Sequence, residues 1–543
     1  MRSATSLLRT KWCAHRHRVF ARTARPEEVR LNMTDPGSLG PRGAGRVLQN
    51  GLIVWGRIAG TTLATILTTR FVLTALGVEA YGVFVATVAI PLALSFLTGA
   101  MQVNTQRALA MTAAVPGNRQ RIFNATLGLH LGVAVVILLV GELTSGWVLR
   151  QVLLIPAPLL VPAEQVLRLT FVAAALGALL APYEALLQAD ERFAVFAVLD
   201  VLRAVALMLA SLWLMSHDGD RLVAYGWAAA LTTIGAAMLG ALIAARDHPE
   251  LRLRLGLFFD AEFFRTQTQL FGWTLFGSSS SVARNQGMAI VVNMFFGPIG
   301  SAAYAVGNQI QNALRQLSGA ISSVLAPRIF RIEASGQRER MVNAALASCR
   351  FSSLVAMALA VPLLAEHEMI LALWLGTPPH MAGVVTMLLI VGFLIDQMSA
   401  PAGTAHLAVG SIARYQLVCG SLTIAFLPLA YFAGSQGAGL TLILSLLAGM
   451  TGIVAWLRIA LLAPHAQGTV GRWLSNVVLS VLTAAAPAAI AALTIVMLLP
   501  PGPVRLVLTV ALSGAALLAS GYLFGLTTEE REALASLLAR WRA

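Results

Sequence analysis

The sequence predicts an all-α polytopic membrane protein of about fourteen transmembrane helices, and three observations carry that reading. Of its 543 residues, 57% are hydrophobic and only 11% charged, with a mean hydropathy of +0.77. Soluble domains carry roughly 25% charged residues. Apolar runs of about 20 residues, enough to cross a bilayer, recur along nearly the whole chain. The segments between them alternate in arginine content, as the loops of a multi-pass protein do. These runs are too long and continuous for the short alternating strands of a membrane β-barrel.

The apolar spans fall near 50–75, 83–105, 122–148, 166–188, 193–215, 222–245, 268–294, 300–325, 342–374, 383–407, 415–433, 438–462, 474–499 and 504–525. Ahead of them, residues 1–47 are polar, Arg-rich and punctuated by Pro and Gly, without the apolar core of a signal peptide. They read either as a basic cytoplasmic tail or as a mis-assigned start, with Met33 the true first residue. The closing segment 527–543 opens on a helix cap, Thr527 or Thr528 with acids in the first turn, and reads as an amphipathic cytoplasmic tail helix on the membrane surface.

One set of loops and helix ends carries the basic tail, Arg107, Arg119, Arg121, Arg192, Arg246 to Arg265, Arg328 to Arg340, Arg414 and Arg472. The other set carries only scattered single arginines such as Arg70, Arg150 and Arg505. The positive-inside rule then puts both termini in the cytoplasm, in agreement with an even number of crossings. The three cysteines, Cys13, Cys349 and Cys419, are far apart and imply neither a disulfide framework nor a zinc site. No G-x-x-x-x-G-K-[ST] loop is present, so nucleotide hydrolysis is not expected. No cofactor, metal or nucleic-acid partner is expected either.

An internal repeat organises the spans. ALGVEAYGVF follows the first span and FGPIGSAAYAVG the seventh, matching Gly77 with Gly300 and Tyr81 with Tyr304 at a shift of 223. QADERFAVF resembles VGSIARYQL, with Arg192 and Arg414 separated by 222. Six helices per repeat is an even number, so the halves are parallel, related by an axis along the membrane normal. The expected organisation is an N-lobe at 48–246, a linker at 247–267, a C-lobe at 268–465 and two added helices at 466–526. Within the linker, 251–267 reads as a surface-lying helix.

Polar residues inside the spans are the functional candidates, because intramembrane arginines normally face a bundle interior or a watery cavity. On the eighth span Asn308, Gln311, Asn312 and Arg315 fall within roughly a 100° arc. On the seventh, Gly277, Ser280, Ser281, Arg284 and Gly287 form a stripe of small residues around one arginine. The stripe reads either as close helix packing or as room beside Arg284 for a bulky head group. Arg57 marks the first span, and the repeat shift places it one turn from Arg284. Asp200 and Arg203, three apart, read as a mutual ion pair. Asp396 is the deep acid of the second half, either a partner for Arg284 or Arg315 or a site for a coupling ion, H+ or Na+. Guanidinium matches phosphate bidentately and stays charged, and amides suit sugars.

These features, with the LG-x-x-x-YG turn and its FGPIGSAAY counterpart, resemble the multidrug/oligosaccharidyl-lipid/polysaccharide (MOP) exporter superfamily over residues 48 to 525. Within it the chain is most similar to bacterial polysaccharide-biosynthesis (O-antigen or exopolysaccharide) flippases. The resemblance implies a V-shaped, MATE-like two-lobe fold working by alternating access. It implies an undecaprenyl-diphosphate-linked oligosaccharide as substrate, the bacterial inner membrane as location, and a polymerase and glycosyltransferases as partners. Peptidoglycan-precursor flippases carry an Arg-Asp pair in the first helix, whereas Ile58 follows Arg57 here. MATE-type drug/cation antiporters use a buried acid in the first or seventh helix, and neither span has one. A membrane-embedded glycosyltransferase or polymerase would need paired carboxylates in a large loop. The nearest pair, Asp260 and Glu262, lies in the linker.

Overall fold

The computed structural model describes residues 41–112, 116–251, 253–258, 260, 275–410, 412–527 and 530–532. The expectations for the basic tail before residue 41 and for the surface helix beyond Glu532 lie outside the described residues. Every regular element among the described residues is helical, and twelve helical runs are long and apolar enough to cross a membrane.

Two of those runs, Trp55–Ala93 and Leu275–Ala334, are interrupted by glycines with positive φ, Gly77 at 80° and Gly297 at 62°. A side chain at either φ would be strained, which is why glycine stands there. As a straight helix the 60 residues of the second run would extend about 90 Å, three times the bilayer core of about 30 Å. The chain doubles back instead. Asn285 and Ala289, before Gly297, line the same cavity as Tyr304 and Asn308 after it. Thr61 and Leu92 do the same on either side of Gly77. Counting two passes for each interrupted run turns twelve into fourteen. The passes are α1 (55–76), α2 (78–111), α3 (Gly117–Val152), α4 (Ala157–Ala189), α5 (Phe193–Leu214), α6 (Arg221–Asp247), α7 (275–296) and α8 (298–334). They continue as α9 (Arg338–Ala365), α10 (Ala382–Val409), α11 (Ile412–Ser435), α12 (Leu440–His465), α13 (Thr469–Leu498) and α14 (Pro503–Gly525).

The reversal glycines also correct the repeat register. Gly77 corresponds to Gly297, at a shift of 220, and not to Gly300, which lies inside α8. Counting back from each glycine, Arg57 lies 20 residues before Gly77 and Arg284 only 13 before Gly297. Seven residues of helix is about 10 Å, so the two arginines sit at different depths and not one turn apart. The ninth span also differs from expectation: it ends at Ala365, and a separate short helix, His367–Leu375, follows. Between them the buried Glu366 accepts from Arg505 (2.6 Å) and Thr509 (3.0 Å) of α14. Among the described linker residues up to 260, only a 3-10 turn, Leu255–Leu257, takes the place of the expected surface helix, and 252, 259 and 261–267 lie outside the described residues.

Helix α4 packs on α2, α3 and α6, and α5 packs on α6, completing the first bundle. In the second, α8 packs on α9 and α10, and α12 on α10 and α11, while α13 and α14 pack together against α9. The two bundles meet at the end that carries the reversal glycines. There one core mixes Val72, Leu73 and Tyr81 with Val292 and Tyr304. Trp374 Nε1 donates to the Ile66 carbonyl (2.7 Å), Arg70 to that of Leu373 (3.2 Å), and the Thr69 hydroxyl to Gln309 Oε1 (2.7 Å). At the opposite end each apolar core draws on one bundle only, Leu109, Phe123 and Ala244 in the first and Ile329, Met341 and Val342 in the second. The molecule is therefore closed at the glycine end.

A Cβ added at Gly82 would overlap the Pro298 carbonyl of the other bundle. Gly82→Ala should push the bundles apart at this end. Disulfide cross-linking between Thr69→Cys and Gln309→Cys should fall severalfold in its presence, and unchanged cross-linking would mean that this contact does not hold the closure.

Candidate functional site

Between the bundles lies a cavity of about 1070 Å³. From α1 it takes Arg57, Thr61, Thr62 and Thr65. The Thr61 and Thr65 hydroxyls donate to carbonyls one turn back (2.8 and 2.7 Å), which satisfies them within their own helix. Arg57 Nη1 donates to Asp200 Oδ2 of α5 at 3.0 Å, and its guanidinium lies 5.4 Å from the Phe196 ring centroid. The expected Asp200–Arg203 pair does not form. The aspartate reaches across to α1, whereas Arg203, also in the cavity wall, makes no ion pair or hydrogen bond among the described residues.

Helices α7 and α8 supply six amides: Asn285, Gln286, Asn308, Gln309, Asn312 and Gln316. Asn285 and Gln286 point off the small-residue stripe in a regular-helix projection. They belong to a π turn, Ala283–Gly287, whose extra residue rotates the helix face at that point. The far wall is aliphatic, with Leu359 and Leu363 of α9, Leu373, and Leu506 of α14.

The remaining candidates lie elsewhere. The small-residue stripe faces α11: a Cβ at Gly277 would meet Gln416, one at Gly287 would meet Leu427, and Ser280 lies against Gly420. Close packing, not room for a head group, explains it. Ser281 is exposed and does not line the cavity. Helix α8 stands at the cavity edge, so its polar arc divides. Asn308 and Asn312 face the cavity, while Gln311 donates to the Leu389 carbonyl (2.8 Å) and Arg315 to Asp396 Oδ2 (3.2 Å), both on α10.

Asp396 is the centre of a second polar cluster, inside the second bundle. Arg458 of α12 donates to its Oδ1 (3.1 Å) and to the Ser399 hydroxyl (2.6 Å). Arg284 lines two small pockets of about 30 Å³ each beside Asp396 but makes no hydrogen bond or ion pair among the described residues. Sequence reasoning misses Arg458 because it sits near the end of its span, where an arginine reads as snorkelling. The only signal for it is the demand of a deep carboxylate for more than one cation. The large cavity thus holds two arginines against one acid, and the cluster three against one. In the linker, Asp260 is held bidentately by Arg121 (Nη2 to Oδ1 2.9 Å), which occupies the carboxylate that an acid-pair mechanism would need.

No family model and no curated protein matches the sequence. Solved structures do match. The lipid II flippase MurJ in an inward closed conformation superposes with a TM-score of 0.66 at 11% identity, over 88% of this chain and 98% of that one. An inward-facing multidrug resistance MATE family transporter of the MOP superfamily gives 0.60 at 13% identity, over 75% and 95%. The Vibrio cholerae MATE transporter VcmN in a bent form gives 0.50 at 15%, over 78% and 98%. This chain has the MOP-superfamily fold. The MurJ superposition takes in a larger share of this chain than either MATE superposition does. A MOP fold built from helices of this length and apolarity is a multi-pass membrane protein.

Proposed function

We propose that this MOP-fold protein is a lipid-linked oligosaccharide flippase of the bacterial inner membrane, with both termini cytoplasmic and the glycine end outward. One observation carries the reading: the cavity between the bundles combines three surfaces for three parts of one substrate. Arg57 and Arg203 outnumber Asp200 and suit a diphosphate. Six amides and the threonine hydroxyls suit a sugar chain, and the wall of Leu359, Leu363, Leu373 and Leu506 suits an isoprenoid tail. The closed glycine end leaves the cavity facing the side on which such a substrate is made. Its partners would then be the glycosyltransferases that build the glycan and the polymerase that extends it. Among the described residues lining the cavity, cationic drugs find only Asp200, already paired with Arg57.

A second reading, translocation of a peptidoglycan precursor, has one specific support. Arg57 and Asp200 form in space the Arg–Asp pairing that the first helix lacks in sequence. Proteoliposomes containing the protein and a fluorescent undecaprenyl-diphosphate oligosaccharide should show flipping well above empty vesicles. Equal flipping of lipid II would favour the second reading, and uptake of cationic drugs without lipid flipping would overturn both.

A further inference from the structure

We infer that the arginine cluster inside the second bundle is a binding site for a small inorganic anion of the halide class, separate from the substrate cavity. Four charged side chains from four helices meet there: Arg284 of α7, Arg315 of α8, Asp396 of α10 and Arg458 of α12. The single carboxylate is already engaged on both oxygens, by Arg315 at 3.2 Å and by Arg458 at 3.1 Å. Arg284 is left with no acid of its own among the described residues. Three positive charges face one negative there, and the half-buried Arg284 and the 38%-exposed Arg315 leave the unbalanced charge open to an anion from solution.

The geometry specifies what would supply it. The pocket beside Arg284 is about 30 Å³; beside Leu389, Gly392, Leu447 and Thr451, whose hydroxyl donates to the Leu447 carbonyl, its polar lining is Asn285, Tyr304, Gln311, Arg315 and Asp396. All of these except Asp396 can donate a hydrogen bond. The Gln311 amide already donates to Leu389, whereas the Tyr304 hydroxyl, beside Arg284, makes no hydrogen bond among the described residues. That space admits a water-sized group. A monatomic anion fits it. The same charges argue against a cation: H+ or Na+ at Asp396 would have to displace a guanidinium and enter a field already positive by two.

The site also has a place in the mechanism. Asn285 lines both this pocket and the substrate cavity. It sits in the π turn with Arg284, so filling the small pocket would fix the segment that presents two of the six amides to the cavity.

The test uses the purified full-length protein in detergent, exchanged into sodium gluconate and titrated with sodium chloride at constant ionic strength. The melting midpoint should rise by several degrees with the logarithm of chloride concentration, as for any ligand that binds only the folded state. Bromide should act likewise and sulfate should not. Arg284→Gln should abolish the chloride response, while Arg203→Gln, in the other cavity, should keep it. Equal midpoints in chloride and gluconate for the parent protein overturn the proposal, and so does an unaltered response in Arg284→Gln. If that variant cannot be purified, diffraction from bromide-soaked crystals of the parent decides, with an anomalous peak between Arg284 and Arg315 expected. Its absence counts against the site. None of these readouts involves lipid flipping, so the site and the flippase reading stand or fall independently.

Discussion

Replacing Asp396 with alanine should destabilise the protein by about 3–5 kcal/mol, the cost typical of removing one partner from a buried ion pair. The cost falls mainly on Arg458, the more deeply buried of the two arginines that lose their acid. Arg315 and Arg458 both donate to Asp396, and Arg284 stands beside it. The carboxylate is 6% exposed and Arg458 8%, so water cannot replace what Arg458 loses, whereas Arg315, with 38% of its side chain exposed, can turn to solvent. The measurement is the thermal midpoint of detergent-solubilised protein followed by size-exclusion chromatography, with membrane yield as a second readout. Asp396→Ala combined with Arg458→Met should recover much of the loss, since the double change removes a cation with the anion and leaves apolar volume. A single Asp396→Ala variant as stable as the parent would show that the cluster is solvated and that its charges are not interdependent.

The contrast between this cluster and the cavity shows which features can be read from the chain. Fourteen passes are legible because the bilayer dictates them: every backbone polar group must be satisfied within its own helix, so apolar length maps directly onto crossings. The reversals are legible only in part. Sequence similarity aligns residue types and so matches Gly77 to Gly300, whereas backbone conformation aligns Gly77 with Gly297. For the polar residues the helical projection gives correct angles but cannot say what stands opposite. The arc on α8 exists, yet α8 lies between the cavity and α10, so Asn308 and Gln311 face different surroundings. The π turn in α7 breaks the projection outright for Asn285 and Gln286. Asp200 pairs with Arg203 on paper because local spacing is the only spacing a sequence displays. The partner it takes, Arg57, is 143 residues away. Charges read singly identify the right kinds of residue, and only the packing decides which of them share a compartment.

That reassignment of Asp200 makes Arg203 the cleanest probe of substrate recognition. Arg57 is a poor probe, because Arg57→Gln also strands Asp200 in the cavity wall and mixes a folding cost with a binding cost. Arg203 has no ion pair to break among the described residues and is already exposed to the cavity. Arg203→Gln should therefore leave the thermal midpoint within about a degree of the parent, as for substitutions away from buried networks. A hydrogen bond to a charged group contributes roughly 1.5–3 kcal/mol. Losing one to the diphosphate should lower affinity for the lipid-linked sugar by about 10- to 100-fold. Arg203→Lys should fall between the two, because ammonium keeps the charge and loses the planar fork. The readout is competition binding of undecaprenyl diphosphate with and without its glycan, alongside the flipping rate in proteoliposomes. Both ligands should weaken by the same factor, since the arginine addresses the group they share. A loss confined to the glycan-bearing ligand would move Arg203 to the sugar, and parental affinity for both would remove it from the site.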